Sequence, residues 1–242
     1  MYENNIGVDF VFPEKTDFEK YDLIIVPALY VAGNDLLQKI SNYVKNGGHV
    51  IMQFKSGFSD ENSAVRAELA PGPLRNACGF YYQEFMNFKE LSLKGDPFKV
   101  GEEKNKVNTW AEYIVPTTAT PLAYYDHKYF GQYPAITRNT FGKGSLVYEG
   151  CMVSDAIQEK IIRNEIEKAG LKTPDQDLHW PLVTKSGRND FGKTIHYYYN
   201  YSSDEAKVAY PYSKGTVLLS SKKIKQGDDL AIDPWGVVIV EE

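Results

Sequence analysis

The 242 residues carry 27 Lys and Arg against 32 Asp and Glu, and the resulting formal charge of −5 offers no basic footprint for phosphate, which argues against a nucleic-acid partner. A content of 43% hydrophobic and 14% aromatic residues is that of a folded chain of one or two domains, and no apolar run is long enough to span a bilayer, so no membrane partner is expected. The 2 cysteines, Cys78 and Cys151, are far apart; they make neither a disulfide framework nor a zinc site and fit a reducing, cytoplasmic setting.

In chain order, residues 6–11 read as a strand. Leu23 to Val26 is a continuous apolar run stopped by Pro27, the pattern of a parallel strand buried on both faces. Asn34 is placed to cap a helix in which Leu37, Ile40 and Val44 recur at helical spacing, and Gly47 with Gly48 supplies its left-handed stop. Residues 49–54 form the next strand. The loop 55–62 therefore emerges at a strand's carboxyl end, where open α/β sheets place ligand or partner contacts. Residues 88–107 are mixed in pattern, and 110–115 and 121–125 look like strands. Residues 135–139 and 145–149 flank Gly142-Lys143-Gly144 as a hairpin. Ile157, Ile161, Ile162, Ile166 and Ala169 line a helix opened by Ser154 or Asp155 and closed by Gly170.

The polar, proline-containing stretch KTPDQD at 172–177 marks a boundary, giving an α/β domain over 1–171 and a second domain over 178–242. Beyond it, strand candidates near 182–185, 194–201, 206–210, 216–220 and 237–240 alternate with turn residues, as in a small antiparallel β-sandwich or barrel.

Several short motifs recur in a telling order: VPALY at 26–30, NGGHVI at 46–51, Ser56-Gly57 with DEN at 60–62, and PGPLR at 71–75 followed by Gly79, Phe80 and Glu84. AITRNTFGKGSLVYEG follows at 135–150, then NYSS and DPWGVVIVEE near the end. Together they resemble the middle, trimerisation domain and the small C-terminal β domain of glycoside hydrolase family 42 β-galactosidases, and the resemblance covers nearly the whole chain. It implies a homotrimer whose own catalytic barrel precedes this region and meets the galactoside substrate, with a strand and most of a helix before Met1. A (β/α)₈ barrel alone takes ~250 residues, so this chain cannot hold one beside these domains. The alternative is a carbohydrate-binding or protein-interaction module.

The first domain's order of strands, loops and helices is also similar to class I glutamine amidotransferases, a flavodoxin-like α/β arrangement. Where that family has its cysteine this chain has Lys55 and Ser56, and near the histidine's place it has Cys151 and Met152, so the chemistry is expected to be absent. Cys78 and Cys151 read as small buried hydrophobes. Retaining glycosidases need two carboxyl groups about 5 Å apart. Asn164-Glu165 superficially matches their Asn-Glu pair, but lies within the 157–169 helix, where Glu165 is expected to face solvent. No catalytic residue, cofactor or metal is assigned: Asp60 and Glu61 are too few for a cation site, and the 4 histidines show no ligand spacing. Ser56, Asp60, Glu61 and Arg75 are the candidate inter-subunit contacts, since arginine's fork suits interface carboxylates. Three lysines within 220–225 read as a solvated strand or turn. Alternation sends Tyr197 and Tyr199 to one face and His196 and Tyr198 to the other, for packing and interface rather than sugar binding.

Overall fold

The computed structural model describes residues 1–13 and 15–242. They divide into two units, Val11–Leu171 and Met1–Phe10 with Lys172–Glu242.

The strands of the larger unit are β1 (Leu23–Val26), β2 (His49–Gln53), β3 (Phe80–Tyr81), β4 (Phe85–Ser92), β5 (Lys106–Glu112), β6 (Val115–Pro116), β7 (Thr120–Tyr124), β8 (Pro134–Phe141), β9 (Gly144–Glu149) and β10 (Cys151–Val153). Its helices are α1 (Asn34–Asn46), the single turn α2 (Arg75–Cys78) and α3 (Asp155–Lys168). The central sheet has the order β1-β2-β9-β8-β7, parallel across β1, β2 and β9 and antiparallel beyond. Strand period 2 divides its core in two. Val50, Met52, Leu146 and Tyr148 join the cluster that includes Leu37, Ile40 and Val44 of α1 and Ala77 and Cys78 of α2. Ile51 and Val147 alternate to the other face, where Gln53 and Glu149 hydrogen-bond to Gln158 of α3. A three-stranded sheet, β10-β5-β4, and the β3–β6 pair complete the unit.

Several expectations are corrected here. Residues 6–11 form no strand, and Phe10 is 97% exposed. All four residues of β1 are half-buried rather than enclosed, because β1 pairs only with β2 and lies at the edge of the sheet. Gly33 is the N-cap of α1, and Asn34 is instead its first residue, accepting from the Arg66 guanidinium at 2.6 Å. The eight-residue strand β4 begins at Phe85, ahead of the mixed stretch 88–107, and runs into it as far as Ser92; its pairing with β5 shifts register between Phe88 and Glu90. Other local features follow the sequence: Gly47 ends α1 at φ 128°, and Ser154 caps α3 through Ile157.

The smaller unit holds β11 (Leu182–Arg188), β12 (Thr194–Asn200), β13 (Ala206–Ala209), β14 (Lys214–Val217), β15 (Lys222–Lys225), β16 (Asp229–Ile232) and β17 (Val237–Glu241). A five-stranded sheet, β11-β12-β17-β14-β15, and the antiparallel β13–β16 pair form a β-sandwich-like body around Tyr198, Val208, Tyr210, Ile224, Leu230, Ile232 and Val240. The lysine-rich segment is β15, with Ile224 turned into that core. Met1–Phe10 group with this unit and not with the α/β unit in which the sequence reading placed them. The reason is Asn5, which is buried and donates to the carbonyls of Asp175, Leu178 and Leu182 while accepting from the Thr184 amide at 2.8 Å.

Candidate functional site

Two loops leave the carboxyl ends of adjacent parallel strands, residues 27–33 after β1 and 54–66 after β2, and backbone hydrogen bonds lace them together. Gly57 N donates to Leu29 O at 2.9 Å, Ser59 N to Tyr30 O at 3.0 Å, and Ala32 N to Ser59 O at 3.2 Å. Ser56 is fully buried; its hydroxyl donates to Gln53 O at 2.7 Å and accepts from Leu29 N at 3.2 Å. That corrects the contact role expected of Ser56: its side chain is enclosed within its own protomer and holds the two loops together.

Asp60 folds its loop locally, with one carboxylate oxygen accepting from the amides of Asn62 and Ala64, both at 2.9 Å. Glu61 is exposed beside Gly33, and Arg75 is exposed at the head of α2. Among the described residues none of Asp60, Glu61 and Arg75 forms an ion pair. The segment leading to Arg75 packs on the second loop, since a Cβ on Gly57 would meet Pro71 O at 2.8 Å. Arg66 braces both loops, reaching Asn34 Oδ1 at 2.6 Å and Ala32 O at 2.5 Å.

Sequence reading missed two features of this edge. The first is an aromatic chain along the loops: Tyr30 stacks on Phe58 at 5.4 Å, Phe58 meets Phe85 edge-on at 5.6 Å, and Phe85 stacks on Trp110 at 4.3 Å. The Lys55 ammonium sits 3.9 Å from the Trp110 ring centre. The backbones of Val31 and Val65 both bridge to Ser59, the residue after Phe58.

The second is a buried carboxyl beneath it. Lys55, at φ 61°, turns its amide onto Glu112 Oε1 at 2.7 Å, and the Trp110 indole donates to the same oxygen at 3.2 Å. The Tyr82 and Tyr148 hydroxyls are turned toward this carboxyl without reaching full hydrogen-bond geometry. Burial raises Glu112 from the ordinary 4.5 to about 7, against the downward pull of the Lys55 amide, the facing tyrosine hydroxyls and the Trp110 indole. These donors come from segments far apart in sequence, which is why no local pattern announced them.

Among the described residues the remaining titratable groups do not assemble a reaction centre. Cys151 is fully buried, and burial with the nearby Glu149 charge holds its thiol well above the usual range; burial raises the Cys78 thiol likewise. Burial also raises Glu149 to about 7, and Gln158 occupies one of its oxygens at 2.7 Å. Glu165 is corrected from solvent-facing to buried: it forms an ion pair with Arg138 of β8. It lies three and four residues after Ile162 and Ile161, so helical phase carries it to the apolar face. A small cavity of about 190 Å³ beside this pair is lined by Phe98, Leu122, Ile161 and Lys168. Among the described residues no group of three or more His, Cys, Asp and Glu could hold a metal ion, and no helix is long and apolar enough to cross a membrane.

Residues 1–172 match the sequence profile of the beta-galactosidase trimerisation domain. Over 242 residues the chain is 29% identical to beta-galactosidase BgaB of Geobacillus sp. strain Y412MC61, covering 100% of this chain and 35% of that protein. It is 27% identical to beta-galactosidase BgaH of Haloferax lucentense over 94% of this chain and 33% of that one. The crystal structure of a beta-galactosidase from Bacillus circulans sp. alkalophilus superposes with a TM-score of 0.83 at 26% identity, covering 100% of this chain and 36% of that structure. The chain thus spans about a third of the length of these relatives.

Proposed function

The chain belongs to the beta-galactosidase trimerisation domain family over residues 1–172, and from that premise we propose that it is the non-catalytic assembly and support region of a glycoside hydrolase family 42 β-galactosidase. The observation that carries the reading is the pairing of that family match with the engagement of the buried acids and thiols among the described residues. The buried carboxyls Glu112, Glu149 and Glu165 are held by hydrogen bonds or an ion pair, and both thiols are enclosed.

In this reading three copies associate, the catalytic barrel lies in the rest of a longer protein, and galactoside is met only there, in the cytoplasm. The α/β unit is read as flavodoxin-like, close to the class I glutamine amidotransferases. Parallel β1, β2 and β9 support this, as does the left-handed residue Lys55 at the turn after β2, where those enzymes carry their nucleophile. The domain limits are placed at residues 171 and 178, with the first ten residues assigned to the second domain. Asp60, Glu61 and Arg75 are proposed as polar contacts between copies.

Sedimentation equilibrium tests the assembly: a mass three times the 27.4 kDa of one chain is expected. A mass that stays at one chain throughout a dilution series refutes it.

One observation favours a second reading, carbohydrate binding by the smaller unit. Trp180, Tyr201, Tyr199 and Tyr197 form a run of near-parallel rings with centres 5.5, 6.1 and 6.3 Å apart, and Trp180 is 55% exposed. Saturable quenching by galacto-oligosaccharide that Trp180→Ala abolishes would support it.

A further inference from the structure

We propose that the cavity lined by α3, β7 and β8 is a binding site for a small organic anion, a carboxylate on a compact apolar body. Arg138 and Lys168 hold the carboxylate, and Phe98, Leu122 and Ile161 enclose the body. The site lies wholly within the larger unit and is independent of the assembly reading.

Four observations carry it. The first is the state of the Arg138 guanidinium. Its Nη2 pairs with Glu165, while Nε is shut from solvent without a hydrogen-bond partner. A guanidinium offers five N–H donors, and buried donors are nearly always paired, so this fork is only part-used. The side chain keeps 16% of its surface open, and with Nε and Nη2 closed off, Nη1 is the nitrogen left for a ligand.

The second is charge. Ile161, Asn164, Glu165 and Lys168 recur at helical spacing on one face of α3, and all line the cavity. Arg138 and Lys168 against Glu165 leave its lining one net positive charge, and the Asn164 amide adds a neutral donor. That balance selects an anion over a cation, and a single charge over several.

The third is enclosure. At about 190 Å³ the cavity is comparable with an engineered one of about 150 Å³ that admits benzene. Phe98, Leu122 and Ile161 give it apolar walls, which a bare inorganic anion would leave unused.

The fourth is that two backbone irregularities build those walls. Pro121 pairs with Thr137 and Ala123 with Ile136, so Leu122 is a bulged residue with no opposite number on β8. Asp96 and Lys99, at φ 46° and 54°, flank Pro97 and Phe98. The Asp96 carboxylate fixes this turn by accepting from the amides of Val100 and Gly101 at 3.1 and 2.9 Å. Bulges and left-handed non-glycine residues concentrate where a chain presents side chains to a ligand.

Isothermal titration calorimetry on the 242-residue chain tests the site. The probes are benzoate and butyrate, with benzyl alcohol as a neutral counterpart and inorganic phosphate as a bare anion. Lys168→Glu changes an exposed residue and keeps the fold, and Leu122→Trp fills the cavity. Lys160→Glu, the same charge change about two turns away on α3 and outside the cavity lining, is the control. Thermal unfolding checks that each variant is folded. The expected result is saturable binding of a carboxylate probe at a single site. Benzyl alcohol and phosphate should bind at least about 10-fold more weakly, because each lacks one half of what the site recognises. Lys168→Glu should weaken the carboxylate by at least about 10-fold, Leu122→Trp should abolish its binding, and Lys160→Glu should leave it unchanged. The proposal is overturned if neither benzoate nor butyrate saturates, or if benzyl alcohol or phosphate binds as tightly as they do. Carboxylate binding that folded Lys168→Glu leaves unaltered overturns it as well, since the ligand would then sit elsewhere; this variant decides alone should Leu122→Trp fail to fold.

Discussion

Replacing Glu112 with glutamine should make the protein more stable in alkali and change little in acid. The folded carboxyl is held at about 7 against an ordinary value of 4.5, so it takes up a proton on folding between those limits. For an acid raised in this way, stability is fully present below the unfolded value and is lost as pH rises through the folded one. At ~1.4 kcal/mol per tenfold change in proton affinity, ionised Glu112 costs the fold about 3 kcal/mol above pH 8 and almost nothing near pH 4.5. Glutamine preserves the geometry. Its carbonyl oxygen can accept from Lys55 N and Trp110 Nε1, which already share one oxygen, and its amide can donate to the Tyr82 and Tyr148 hydroxyls. Urea unfolding of both proteins near pH 4.5 and pH 8.5 measures the effect, and the difference between them cancels the similar contribution of Glu149. A gain of about 3 kcal/mol that appears only in alkali is expected. An equal loss at both pH values would refute the argument, because it would mean that the carboxylate charge itself is needed at the Lys55 turn.

Three other outcomes follow from the same interior. Arg138→Met should cost roughly 3–5 kcal/mol by leaving Glu165 buried and unpaired, and adding Glu165→Leu should recover most of it; denaturation midpoints decide between pairing and simple packing. Burial opposes the charge on His196, but Asp175 and Glu242, at 3.5 and 3.2 Å, overcome it and hold its pKa above the ordinary 6.5. His196→Gln should therefore lower the melting temperature in mild acid and progressively less as pH rises through that raised value; an effect that grows with pH would refute this. Gly79→Ala should destabilise by more than about 2 kcal/mol, since φ is 70° and the new Cβ would lie 2.4 Å from Asn139 Cγ and 2.6 Å from Thr118 Oγ1. Calorimetry with an unchanged melting point would contradict it.

The chain by itself determined what depends on near neighbours. The 3.6-residue recurrence of Leu37, Ile40 and Val44, the apolar run Leu23–Val26, the glycine turn between β8 and β9 and the loss of helical period after Lys172 gave the element types and the change from α/β to all-β. The position of the contact loops was also legible, because a loop that follows a parallel strand must leave at its carboxyl end. Even Glu165 could have been placed inside, since its helical phase matches Ile161 and Ile162.

Only the tertiary structure decided the rest. Residues 1–10 join the smaller unit through Asn5, whose acceptors lie 170 and more positions away. Ser56 and Asp60 look alike as polar loop residues, yet one is enclosed and the other is half-exposed. Glu112 gathers Lys55, Tyr82, Trp110 and Tyr148, and the aromatic chain gathers Tyr30, Phe58, Phe85 and Trp110, from strands and loops whose registers are set by long-range pairing such as His49 opposite Ser145. Periodicity fixes which face of an element is apolar. Which distant donors or rings meet there depends on strand order and register, and those are properties of the folded sheet.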